Sequence, residues 1–460
     1  MIHLASRVPD PAVRRLTATL YGYAFLSDLV LLYPLYVVFF ADTGLSVGQI
    51  SSLFVIWSAA GILFEVPSGA WADVVSRRLL LLCLAPLVTA AGFALWVLLP
   101  SYPAFAVGFL LWGAGGALVS GALEALVWTE LDRLGAVGRY ARVLGRARTA
   151  GVLGVVVSGV LAGPVLAAGG YPAVGAASVL ACLLATIVAA RFPEHRPPAA
   201  APALVNAPVP AGVPVPASGH DPTAAVRSVA AATPGDREPD GFPSAAADDE
   251  GDLGWWGTLR AGVRQVRTRP PVRSAVLLVA VVAADWGALD EYAPLLALDT
   301  GVRAEVVPLL LLLLWAGVTI GGLLAGVGER LDRRGYAALL GLVGVGLAGG
   351  ALTGRPAGFV LLALGFGAAQ LATVLADARL QARITGTSRA TVTSLAGMAT
   401  DLLIIGTYAG YGLLATVVGN AVAFAVTAGP YLVVGLVLLT RRRPAVVPAS
   451  STAAAARGPQ

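Results

Sequence analysis

The chain has 460 residues, 57% of them hydrophobic and only 12% charged, with a mean hydropathy of +0.80. No soluble globular domain of this length sustains such values, so the chain reads as a polytopic membrane protein. The formal net charge of +5 does not mark a nucleic-acid surface, because the basic residues, all arginine, fall in short loops between apolar spans, where they set topology. Cys83 and Cys182 lie in apolar runs and are expected to fill space rather than to form a disulfide or a metal site. His3, His195 and His220 all fall outside the apolar runs, which leaves no imidazole chemistry at membrane depth.

The first apolar run, about 17–40, is too long for a signal-peptide core and has no small-residue cleavage site, so it stays as a span. Runs of roughly 20 residues, enough to cross a bilayer, follow near 47–68, 79–99, 104–128, 143–168 and 171–190. After a central loop come further runs near 272–296, 306–328, 337–352, 358–377, 390–414 and 418–439. The expected fold is therefore all-α, with twelve spans in two six-helix halves, 1–191 and 270–443. Between them, 192–252 is rich in Ala and Pro, cannot bury a core, and is expected to be a disordered linker, as is the tail 444–460. In 253–269, Trp256, Leu259, Val263 and Val266 recur at helical spacing while Arg260, Arg264 and Arg267 take another face. That pattern fits a helix lying on the inner leaflet better than a calmodulin-type target.

Arg77 and Arg78, the arginines of 133–148, 330–334 and 379–389, and Arg441 to Arg443 fall on one side of the spans together with the N-terminus. The opposite loops, around Asp42, Pro100, Gly170 and Val417, carry almost none, Arg303 and Arg355 excepted. The positive-inside rule makes the arginine-rich side cytoplasmic, with both termini there and the protein in the plasma membrane.

The halves repeat. Asp42-Thr43-Gly44 recurs as Asp299-Thr300-Gly301 and Asp28 as Asp285, both at a shift of 257, since 299 − 42 and 285 − 28 agree. The same shift carries Gly69 onto Gly326 and Arg77 onto Arg334, whereas Asp73 falls on Arg330, so the second copy of that loop is degenerate.

Charge and turn chemistry concentrate where the second span ends, at Glu65-Val66-Pro67-Ser68-Gly69-Ala70-Trp71-Ala72-Asp73, followed by Arg77 and Arg78. Gly69 permits close backbone approach, Asp73 can pair with arginine or sit at a helix N-terminus, and the arginine pair holds the loop on the cytoplasmic side. Gly69, Asp73, Arg77 and Arg78 resemble the loop between the second and third helices of the major facilitator superfamily. Ser120 to Ala125 and Ser388 to Val392 look like bacterial exporters of that family. Gly159, Gly163-Pro164 and Gly169-Gly170 approximate the glycine-proline motif of its antiporters, with the last pair displaced; a packing face of small residues is the plain alternative. The resemblance implies parallel halves, a cavity lined by the first, fourth, seventh and tenth spans, secondary transport, and a gate on the cytoplasmic side at Gly69, Asp73, Arg77 and Arg78. The fourth span lacks the arginine that many drug antiporters of the family carry there, so their coupling scheme does not transfer directly.

Ionisable side chains at membrane depth each cost about 2.5 to 3.5 kcal/mol on insertion scales and need a reason. Asp28, Asp285 and Asp401 count out near the midplane, Asp290 and Glu291 towards the outside, and Glu65, Glu124 and Asp377 nearer the cytoplasm. A gate or loop-anchoring role with nearby arginines suits Glu65 and Asp377, and Glu124 stays open. Asp28 and Asp285 are expected to form the coupling pair, with Asp401 as the comparison site, and hydrogen-bonded packing is the plain alternative for all three. The resemblance places Asp28 and Asp285 in the central cavity, with Tyr33, Tyr36, Trp286 and Tyr292 beside them to stack on an apolar or cationic molecule or simply to pack.

The expected function is proton-coupled efflux of a small hydrophobic or cationic molecule by alternating access. An importer or uniporter of the same fold, or a non-transporting receptor, is the alternative. No paired nucleophile and base lie at depth, which speaks against an enzyme, and no phosphate-binding loop of the Gly-rich Lys-Ser/Thr type supports ATP or another cofactor. The expected partners are the substrate, protons and the lipid bilayer, with the chain acting as a monomer. The linker at 193–252 should resist protease added outside intact spheroplasts; cleavage there would reverse the orientation.

Overall fold

The structure is a computed structural model that describes residues 11–75, 78–119, 122–193, 255–384 and 389–440, with the side chains of 65–81, 255–259, 261, 262 and 390 outside the description. The expected linker and tail, apart from residues 192 and 193, lie outside the described residues, as does Arg77. The first half comprises α1 (Pro11–Asp28), α2 (Tyr36–Asp42), α3 (Val47–Val75), α4 (Arg78–Leu98), α5 (Tyr102–Val119), α6 (Ala122–Arg133) and α7 (Tyr140–Ala189). After α8 (Trp255–Thr268), the second half comprises α9 (Pro270–Asp290), α10 (Ala293–Asp299), α11 (Val307–Leu323), α12 (Ala325–Gly328), α13 (Arg333–Leu352), α14 (Gly358–Gln381), α15 (Arg389–Val418), α16 (Asn420–Thr427) and α17 (Gly429–Thr440). The fold is all-helical, and among the described residues nine helices are long and apolar enough to cross a membrane. The fifth and sixth expected spans run together as α7, bent at Gly170, whose φ of 64° only glycine adopts readily.

The first and seventh expected spans are not continuous rods. Between α1 and α2 the chain leaves the helix at Leu29 to Leu35, and between α9 and α10 at Glu291 and Tyr292. Proline explains both places: Pro34 has no amide hydrogen for the Val30 carbonyl, and Pro294 none for that of Asp290. In lipid the freed groups need internal partners. The Ser158 hydroxyl of α7 donates to the Val30 carbonyl at 2.7 Å, and Ser178 accepts from the Leu32 amide at 3.0 Å. In α9 the Tyr431 hydroxyl is inserted into a rung of the ladder, accepting from the Trp286 amide and donating to the Val282 carbonyl, both at 2.9 Å.

The duplicated tripeptide builds the same turn twice. Gly44 and Gly301 take φ of 89° and 82°. Thr43 donates to the Phe40 carbonyl and Thr300 to that of Ala297, both at 2.7 Å. Asp42 accepts from the Tyr171 hydroxyl and Asp299 from the Asn420 side chain, each donor directly following a positive-φ glycine, Gly170 or Gly419.

At this Asp42 and Asp299 end the two halves touch: α2 packs on α10, α3 on α15, and α7 on α11. The Ser51 and Tyr292 hydroxyls share a hydrogen bond of 2.8 Å, and Phe54 meets Tyr292 edge-on. Gly159 and Gly163 of the approximate antiporter motif lie in this contact, where they let the backbones approach. A Cβ on Gly163 would lie 2.2 Å from the Glu305 carbonyl oxygen, and one on Gly159 would lie 2.8 Å from Leu312. One large apolar cluster therefore draws on both halves, including Phe54, Tyr292 and Tyr408. Towards the arginine-rich end the clusters are separate: Leu16, Tyr23, Leu126 and Val143 belong to one half, Val272, Leu380, Ile384 and Val392 to the other. Among the described residues the buried clusters join the halves at one end and stay within each half towards the other.

Replacing Gly163 by Val is expected to push α7 off the Glu305 backbone, an overpacking cost of about 1–3 kcal/mol borne by the joined state alone. A cysteine placed at Ser51 should then react with a membrane-impermeant maleimide at least about tenfold faster than in the Gly163 parent. Unchanged labelling would show that this contact does not hold the end closed.

Candidate functional site

The break after α1 turns Tyr33 and Tyr36 towards the indole of Trp112 on α5. Tyr33 stacks on Trp112 with centroids 5.2 Å apart and planes 13° apart, and Trp57 of α3 stacks on it at 4.8 Å and 23°. Behind them Tyr36, Phe40, Phe54, Trp96 and Phe109 form a buried aromatic block. Such pairs each add about 0.5–1.5 kcal/mol beyond burial, so this wall is rigid.

Trp112 is shared by three cavities. One, of about 510 Å³, lies between the halves and is lined by Trp57, Ser58, Glu291, Asp401 and Tyr408. A second, of about 590 Å³, also spans both halves and holds Tyr33, Tyr36, Asp290, Glu291 and Trp315. The third, of about 310 Å³, lies within the first half and holds Asp28, Thr89, Glu124 and Arg148. Together the described linings carry five carboxylates, Asp28, Glu124, Asp290, Glu291 and Asp401, against the single guanidinium of Arg148. The low-dielectric walls strengthen that imbalance.

Each carboxylate has a distinct setting. Asp28 ends α1 and lies over Gly151 of α7; a Cβ there would come within 2.3 Å of its Oδ2, so glycine makes the room. Glu291 sits in the break between α9 and α10 and accepts a hydrogen bond from the Tyr36 hydroxyl, a bond from one half to the other. Asp290 is held by the Trp315 indole N–H at 3.4 Å. Asp401 of α15 lines the first cavity together with Glu291.

Of the residues expected from the sequence to form the cavity, Asp28, Asp401, Glu124, Tyr33 and Tyr36 line these three spaces. Asp285, Trp286 and Tyr292 lie elsewhere. Asp285 is buried beside α15, where Thr407 donates to Oδ1 at 3.3 Å and Oδ2 has no partner among the described residues. The Trp286 indole donates to Thr373 at 3.1 Å inside the second half, edge-on to Phe366. Tyr292 is fully buried in the seam between the halves, stacked on Tyr411 at 3.6 Å. Gly69 and Asp73 fall in the closing turns of α3 and Arg78 opens α4, but the gate side chains, that of Glu65 included, lie outside the description.

Counting along an unbroken rod sets Asp290 and Glu291 towards the outside, which is why the sequence alone does not mark them as cavity residues. Pro294, four residues after Asp290, was the available signal. Trp57, Trp112, Trp315 and Arg148 carried none, since only tertiary packing brings them to one space.

The sequence profile of the Major Facilitator Superfamily matches residues 18–404. Among curated proteins none matches the chain. Several solved structures share the fold. The nucleoside transporter NupG superposes with a TM-score of 0.63 at 12% identity, covering 92% of this chain and 98% of that one. A bacterial homologue of the human lysosomal transporter Spinster, in an inward-facing and unoccupied conformation, gives 0.61 at 15%, covering 93% and 95%. A D-xylose-proton symporter gives 0.59 at 15%, covering 93% and 97%.

Removing the hydroxyl in Tyr36→Phe deletes a charge-assisted bond across the seam, about 1.5–3 kcal/mol. With a cysteine reporter at Ser51, the variant is expected to gain roughly ten- to a hundredfold in maleimide labelling rate with no change in yield. Equal labelling of the Tyr36→Phe variant and its parent would remove Glu291 from the seam's energetics.

Proposed function

Because this chain belongs to the major facilitator superfamily, we propose that it works as a proton-coupled exporter of a small hydrophobic or cationic molecule across the plasma membrane. The fold is that of the family's transporters and the protein crosses the membrane many times. The reading of its cargo is carried by one observation: three cavities that share Trp112 of the aromatic wall, two between the halves and one within the first half, whose described linings together hold five carboxylates and one arginine. Indole and phenol faces attract cations by about 0.5–2 kcal/mol each, more where water is excluded.

In this proposal the arginine-rich end faces the cytoplasm, so the parted ends of the halves are open to it. The linker 192–252 hangs on that side, α8 lies on the inner leaflet with its arginines towards the headgroups, and the chain acts as a monomer. The gate at Gly69, Asp73, Arg77 and Arg78, with Glu65 above it, closes the same end when the halves rock. A cation entering from the cytoplasm settles against Trp57 and Trp112 with Glu291 and Asp401 as counter-charges. After the halves rock, a proton from outside takes the carboxylate and releases the cation. Asp28 and Glu291 are the coupling groups in this scheme. Asp285, turned away from the cavities and held by Thr407, keeps a packing role.

Everted vesicles given a planar aromatic cation such as ethidium in the external medium test the scheme. Accumulation should require an inward-acidic gradient and fall at least about tenfold in Asp28→Asn and in Glu291→Gln, while Asp285→Asn retains most of it. Accumulation of an uncharged sugar instead, or gradient-independent uptake of the cation, would overturn the cargo or the coupling respectively.

A further inference from the structure

A fourth, separate cavity of about 700 Å³ opens at the arginine-rich end of the second half, between the start of α9, the start of α13 and the ends of α14 and α17. Its polar lining is dominated by Arg333, Arg379 and Arg383, with Tyr336 and Ser274, and among the described residues no carboxylate lines it. The arginines are not fully engaged by protein partners. Arg333 Nη2 is buried and has no hydrogen-bond partner among the described residues. Arg379 lies with its guanidinium 3.9 Å over the Tyr336 ring and donates from Nη2 to the Leu331 carbonyl at 3.4 Å, which leaves further N–H groups for a ligand. The nearest acid in sequence, Asp332, is occupied as the cap of α13, accepting from the Gly335 amide at 2.7 Å.

A buried guanidinium N–H without an acceptor costs about 1–3 kcal/mol or more, and three guanidinia facing one space repel one another unless an anion joins them. Fork-shaped donors fit the oxygens of a phosphate. The other side of the cavity is apolar and turned outwards: Leu277, Val433 and Val437 are 55%, 62% and 40% exposed. A free phosphate has no use for that wall, whereas acyl chains attached to a phosphate would cover it at headgroup level.

We propose that this cavity binds the phosphate of an anionic phospholipid, with its chains along α9 and α17. The site lies apart from the transport cavities and does not depend on the substrate or the coupling scheme.

The full chain, purified in a neutral detergent, would be examined by native mass spectrometry and thermal unfolding with phosphatidylglycerol, phosphatidylcholine or inorganic phosphate added. Phosphatidylglycerol is expected to be retained as a discrete adduct and to raise Tm, and the other two to do neither. Retention should drop at least tenfold in Arg333→Gln and partly return in Arg333→Lys. Arg355→Gln, exposed at the opposite end, should behave as the parent. Should Arg333→Gln fail to fold, Arg383→Gln, at an exposed position of the same cavity, replaces it. Equal retention of phosphatidylcholine, stabilisation by inorganic phosphate alone, or an undiminished adduct in the arginine variants would each overturn the proposal.

Discussion

A backbone group in hydrocarbon must find its partner inside the protein, and the shape of this molecule follows from the two places where proline denies one. Pro34 and Pro294 interrupt the first helical rod of each half at comparable depth. The first interruption is met by hydroxyls aimed at it, those of Ser158 and Ser178 from the two limbs of α7. The consequence is geometric. A continuous helix would carry Tyr36 and Glu291 on regular faces of separate rods; the breaks turn them to meet across the seam.

The two halves share a plan and diverge in detail. Their Asp-Thr-Gly turns agree down to the threonine hydrogen-bond lengths, and in each the aspartate fastens the turn to the residue after a left-handed glycine. Their repeated midplane aspartates do not agree. Asp28 stands over Gly151 at a cavity wall, whereas Asp285 is enclosed by Thr407. The difference traces to the helix that backs each one, small-residue α7 in one half and α15 in the other. Duplication preserved the turns because their geometry is local, and released the carboxylates because their setting is made by neighbours.

That distinction also marks what the amino-acid sequence made legible. Apolar run length gave the spans, and the repeat at 257 residues gave two halves, because bilayer thickness and local turn chemistry act on contiguous residues. Hydropathy is blind to a missing hydrogen bond inside an apolar run, so the breaks went unread and Glu291 was not marked as a cavity residue. The Trp57, Trp112 and Tyr33 stack, and the arginine cavity drawn from four helices between Ser274 and Leu438, are products of tertiary packing and left no periodic trace. The glycines of α7 were readable as a packing face, but not the surface they pack on, the Glu305 backbone and Leu312.

The seam at the Asp42 and Asp299 end has the properties a reversible contact needs. In lipid, helices gain nothing from hiding apolar surface against one another, so the contact rests on close packing at Gly159, Gly163 and Gly412 and on a few hydroxyl bonds. Each of those is modest, and none is an ion pair among the described residues. Among the described residues Glu291 is the carboxylate that belongs both to this seam, through Tyr36, and to the cavities where cargo would sit. A ligand shifts a two-state equilibrium only by its differential affinity for the two states. In the proposed cycle a cation or proton at Glu291 has such a difference built in, because it competes with the Tyr36 hydroxyl for the same oxygens. Occupancy of the cavity and closure of the far end are then coupled through one carboxylate, with no relay across the bundle.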